Sequence, residues 1–180
     1  MASTKVLDRS DVPQEQRWND KSVFENREAW QSEFDALADE LPKLGDYKGT
    51  LSESSDTLAD YWDLESKLRR RLRVLSSYVG MSTSVDSSDN EAKAMMGQLF
   101  GLFGVYSRHT AFSTPELIAM GEDALLAWVN ENERLSTYER AINEMFRQAQ
   151  YTRSSEVEQV MGMLGEPFGG TQNAYSELSN

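Results

Sequence analysis

Trp30, Phe34, Leu37, Leu41 and Leu44 recur at steps of three and four. That spacing puts all five on one stripe of an α-helix and excludes a strand, whose inward residues recur at every second position. The same period returns twice. Leu58, Tyr61, Leu68, Leu72, Leu75 and Val79 form a second stripe, and Ala92, Met95, Leu99, Leu102, Phe103 and Tyr106 a third. No strand-length alternation bounded by turn residues occurs. The expected fold is therefore all-α, a helical lobe of antiparallel helices with no significant sheet.

The spacing predicts a first helix from Glu25 to Leu44, stopped by Gly45 just past its last apolar position. A second helix is expected from Ser55 to Met81, followed by a polar loop from Ser82 to Asp89. Ser88-Asp-Asn-Glu91 has the capping-box pattern and opens the third. With Thr114 as N-cap and Pro115 at the first helical position, a helix is expected from Pro115 to Asn130. Helices from Leu135 to Gln150 and from Ser155 to Leu164 follow, the latter with Ser155-Glu-Val-Glu158 as its capping box. Gly165 to Gly170 breaks the pattern before a last helical piece near Thr171. Residues 1–24 read as a flexible, extended segment that Trp18 and Phe24 can pin to the core. Residues 25–180 read as one helical lobe without internal repeats or low-complexity tracts.

Charge narrows the partners. With 18 basic and 30 acidic residues the formal charge is −12, a field that repels phosphate backbones and anionic lipid headgroups, so neither nucleic acid nor membrane is expected as a partner. A 39% hydrophobic content is nevertheless enough to build a core. The absence of cysteine excludes disulfides, thiolate metal sites and cysteine nucleophiles. Met1 to Pro13 has no apolar region of the kind a secretory signal needs, and the least polar stretch, Ala94 to Tyr106, is too short to span a bilayer. These features lead to the expectation of a soluble, cytoplasmic protein.

His109 is the one imidazole, and it is expected at a helix surface or core edge, since a metal site built on it would need several carboxylates. Lys67, Arg69, Arg70, Arg71 and Arg73 look like a basic patch, but at about 100° per residue they surround their helix, which suits a solvated, salt-bridged element better than an anion site. Gly97, Gly101 and Gly104 share one helix face, and close approach of a neighbouring helix backbone is the expected reason for them. Their spacing is not that of a phosphate-binding loop. Acidic neighbours such as Asp39 with Glu40, Glu122 with Asp123 and Glu131 with Glu133 point in different directions on a helix and make poor acid–base pairs. Asp86 to Glu91 lacks the central glycine and distant glutamate of a calcium loop, and Ser154 and Ser155 have no base in view.

Four stretches carry a family likeness. Trp18-Asn-Asp-Lys-Ser-Val-Phe24, Leu44-Gly-Asp-Tyr-Lys-Gly-Thr-Leu51, Phe112-Ser-Thr-Pro-Glu-Leu117, and Tyr151-Thr-Arg-Ser-Ser-Glu-Val-Glu158 followed by Tyr175-Ser-Glu-Leu-Ser-Asn180 resemble, in order and spacing, the N-terminal part of the oligoendopeptidase F family of zinc peptidases. Tyr151 departs from the histidine that many relatives show at that place. The resemblance implies a helical lobe that walls one side of a deep channel over a zinc ion held by a His-Glu-x-x-His helix, a channel that takes short peptides. It assigns no catalytic, metal-binding or substrate-binding residue to this sequence, which contains no His-Glu-x-x-His. The expectation is accordingly a truncated or separately encoded N-terminal lobe, without a cofactor of its own, inactive alone, and partnered by a catalytic lobe in cis or in trans. A self-standing acidic helical module that binds a peptide or protein is the alternative.

Overall fold

The computed structural model describes residues 11–150, Ser87 excepted. The fold is all-α: among the described residues there is no strand or bridge. Two compact units divide the chain, one up to Ala119 and one from Met120.

In the first unit, helix α1 runs from Arg27 to Glu40 and is capped by Asn26, whose side chain accepts from the Ala29 amide at 2.8 Å. It ends four residues short of the expected Leu44. Pro42 has no N–H for the helical ladder and its ring crowds the carbonyl four residues back, so the chain tightens into a 3-10 helix from Leu41 to Tyr47. Residues three apart eclipse in that tighter winding, which keeps Leu41 and Leu44 fully buried. Gly45 thus lies inside the 3-10 helix and is not the stop. The chain turns at Gly49, whose φ of +85° suits glycine.

Helix α2, Ser55–Val85, is capped by Ser54 and runs 31 residues, roughly 46 Å at 1.5 Å per residue. It exceeds its expected end at Met81 because Ser82, Thr83 and Ser84 turn their hydroxyls back onto the carbonyls of Tyr78, Val79 and Gly80 at 2.9, 3.1 and 2.7 Å. Hydroxyls that read as a loop are satisfied within the helix.

Helix α3, Asn90–Thr110, is capped by Asp89, which accepts from the amides of Glu91 and Ala92 at 3.1 and 3.0 Å. The expected cap, Ser88, is instead held by Asp86, and the expected box partner Glu91 reaches Arg27. The Phe112-Ser-Thr-Pro-Glu stretch starts helix α4, Ser113–Met120, one residue before the expected N-cap, with Pro115 in the first turn where its missing N–H is harmless.

The pairings of these helices run in opposite senses. Trp30 on α1 donates from its indole to the Leu75 carbonyl of α2 at 3.1 Å, while Glu40, ten residues on, meets Arg71. On α3, Tyr106 donates to Glu65, far back along α2. The helices are thus antiparallel neighbours. Every expected apolar position of α2 is buried, as are Ala92, Met95, Leu99 and Leu102 of α3. Phe103 is not: it stands 40% exposed at the edge of its stripe. The lead-in segment forms short 3-10 turns at Gln14–Gln16 and Asp20–Ser22, and Trp18 and Phe24 close on the Tyr78 ring at 5.8 and 5.3 Å.

In the second unit, helix α5, Glu122–Glu131, starts at Gly121, where φ +88° and ψ 149° are accessible to glycine and strained for other residues. The single helix expected from Pro115 to Asn130 is therefore two. A 3-10 turn, Glu133–Tyr138, capped by Asn132, whose side chain accepts from the Arg134 amide at 3.1 Å, leads into helix α6, Glu139–Ala149, in place of one helix from Leu135. Among its described residues, Leu125, Val129, Leu135 and Ile142 are buried. The expected helix from Ser155 to Leu164, the glycine break and the piece near Thr171 lie outside the described residues.

Candidate functional site

Two of the stretches that suggested a family meet in the first unit. Tyr47, from the turn after the first helix, lies 5.6 Å from the ring of Tyr61 on α2, and Phe112, from the start of α4, lies 5.7 Å from the same ring. Leu51 is fully buried. The Gly49 amide donates to Glu116 Oε1 at 2.7 Å, which ties the two motifs together. Burial pushes the Tyr61 phenol above its ordinary range, as do the carboxylates of Glu65 and Glu116, against a hydrogen bond with Ser113.

His109 belongs to the same region. It sits half-buried in the last turn of α3, and a Cβ built on Gly45 would stand 2.8 Å from its Nδ1. Gly45 is therefore needed where the imidazole packs, and the histidine is the core-edge residue its isolation suggested. This junction is a packing device. The rings of Tyr47 and Phe112 meet at Tyr61, and the Gly49 amide meets Glu116.

The basic run on α2 is dispersed as the helical wheel required. Arg69 pairs with Glu65 at 3.0 Å. Arg71 donates to Glu33 and Glu40 of α1, both at 2.6 Å, which raises its own pKa and holds the Glu40 carboxyl below the usual range. Sequence reasoning had given Arg71 no partner, since contacts 31 and 38 residues apart leave no local signal. Arg27 makes a similar clasp at the start of α1 with Asp89 and Glu91. Its hydrogen bond, with help from the Ala92 amide, keeps the Asp89 carboxyl low. The Tyr106 phenol moves well above its ordinary value through burial and then through its bond to Glu65.

The glycine face of α3 corrects an expectation. Among the described residues nothing lies within 4 Å of where a Cβ would stand on Gly97, Gly101 or Gly104, and all three are exposed. No neighbouring helix of the described fold approaches them. Nor do the described residues contain a group of three or more His, Asp or Glu side chains able to hold a metal ion. No helix among them is long and apolar enough to cross a membrane.

Similarity to known proteins agrees with this architecture. A family model described as Oligopeptidase F, the N-terminal model of the M3 peptidases, matches residues 116–180. Oligopeptidase PepF of Bacillus subtilis (strain 168) is 30% identical over 178 residues, which is 99% of this chain and 27% of PepF. Group B oligopeptidase PepB of Streptococcus agalactiae is 23% identical over 96% of this chain and 29% of its own length. The chain thus spans little more than a quarter of the curated relatives it matches. Among solved structures, a putative peptidase from Chlamydophila abortus superposes with a TM-score of 0.71 at 19% identity, covering 93% of this chain and 28% of that one. Oligoendopeptidase-F from Enterococcus faecium gives 0.68 at 19% identity over 83% and 30%. In fold and in collinear sequence, the chain corresponds to an N-terminal region of the oligoendopeptidase F family.

Proposed function

We propose that these 180 residues act as the N-terminal helical lobe of a zinc metalloendopeptidase that hydrolyses short peptides, and that they hydrolyse none by themselves. The observation that carries this reading is the collinear similarity to PepF over 99% of the chain. The donor set supports the second half. A catalytic zinc of this class needs two imidazoles a helical turn apart with a third ligand, and one histidine with no cysteine does not fit it. His109 is moreover packed against Gly45. No step of hydrolysis can therefore be routed through residues of this chain. Its part is to position a wall: antiparallel helices clasped by Arg27 and Arg71 give a stiff support for chemistry carried by a catalytic lobe in cis or in trans.

Exposed apolar side chains favour this over a self-standing binding module. Phe100 and Phe103, neighbours on α3, are 69% and 40% exposed, as on a surface that meets another one. The test is complementation. PepF from Bacillus subtilis, lacking the part this chain matches, should regain cleavage of a quenched fluorescent oligopeptide when the chain is supplied. Absence of any complex between the two would overturn the proposal.

A further inference from the structure

We infer that the outer face of α3 is a docking surface, and that its occupant is an acid-flanked apolar helix from peptidase polypeptide outside this chain. The inference rests on the lobe reading above and adds the place and chemistry of the contact.

At about 100° per residue, Gly97, Phe100, Gly101 and Gly104 fall within a sector of about 100° turned away from the buried stripe. Each glycine costs the helix stability against alanine. Within the described fold nothing offsets that cost, since no atom comes near the missing side chains. Phe100, 69% exposed, stands among them. Glycines around a projecting phenylalanine form a shallow trough with a knob, which lets a second helix come backbone-close while its side chains surround the ring.

Charge identifies the occupant. In a chain with 30 acidic residues, none occurs from Ala92 to Pro115. Lys93 and Arg108 lie at the two ends of the same sector, ~22 Å apart along the axis. A second copy of this chain suits the face badly. Antiparallel pairing sets Lys93 against Arg108, parallel pairing sets like against like, and either repels at both ends. A segment with carboxylates at that spacing fits both. In PepF the matching part is 27% of the protein, so most of such a polypeptide lies outside the part this chain matches.

The experiment uses the whole chain, with PepF from Bacillus subtilis lacking its matching part as the probe. Affinity is measured for the wild type, Gly101→Leu, Phe100→Ala and, as a control on another exposed apolar residue, Val85→Ala. The α3 variants should bind about tenfold more weakly or worse, and Val85→Ala like the wild type. Alone, the chain carrying Gly101→Ala should show a higher urea midpoint than the wild type, because its helix gains propensity and meets nothing. Unchanged binding by both α3 variants would place the contact elsewhere and overturn the inference while leaving the lobe reading intact. A lower midpoint for Gly101→Ala would assign the glycines to the chain's own fold and overturn it as well. Self-association abolished by Gly101→Leu would replace the occupant with a second copy. No complex with the wild type would remove the lobe reading itself.

Discussion

Gly45 shows how a residue can be singled out for the wrong reason. As the first glycine after an apolar stripe it reads as a helix stop, yet it lies inside a 3-10 helix, and its requirement is the imbalance of space beside His109. A methyl group there would stand 2.8 Å from Nδ1, closer than ordinary van der Waals contact allows. Gly45→Ala should therefore destabilise the chain by about 1–2 kcal/mol, as overpacking does. His109→Ala should remove most of that penalty when the two are combined, since the clash then has no second party. Urea unfolding of the four proteins of the cycle checks this, and additive losses would refute the contact. The histidine's place at a core edge was legible from its isolation in the sequence. Its partner was not, because Gly45 and His109 are brought together only by the fold.

At the scale of elements, the apolar stripes were legible and the ends were not. Period reports burial directly, and Leu58, Leu68, Leu72, Leu75 and Val79 are buried as their spacing requires. Ends depend on single groups: the missing N–H of Pro42, the back-bonded hydroxyls of Ser82 to Ser84, the positive φ of Gly121. The α3 cap went to Asp89 over Ser88 because one carboxylate can accept two amides and Arg27 together. That arrangement predicts a pH dependence. Asp89 is held below its ordinary value, near 3.9 in unfolded chains, so its contribution is complete above that value and is lost as pH falls through the lower folded pKa. Asp89→Asn keeps a good cap and removes the charge, and should cost about 1–2 kcal/mol at neutral pH. The gap from wild type should narrow steadily below about pH 4. Equilibrium unfolding across pH 7 to 2 checks it, and a gap that ignores pH would assign the loss to packing.

At the scale of the whole molecule, the all-α class and the family likeness were legible because both rest on patterns spread along the chain. The junction of Tyr47, Tyr61 and Phe112 was only half legible. Both motifs stood out in sequence, but their meeting at Tyr61 and the Gly49 to Glu116 bond are long-range facts. The sequence holds one imidazole and no thiol, so the usual zinc donors are almost absent from it. The central claim is that these helices support chemistry located in another part of a peptidase. It is tested most directly by one measurement on the purified, chelator-washed chain: zinc content, read together with hydrolysis of a quenched fluorescent oligopeptide. The account predicts metal far below one equivalent and no cleavage above buffer. Near-stoichiometric zinc with turnover that a chelator abolishes would contradict it.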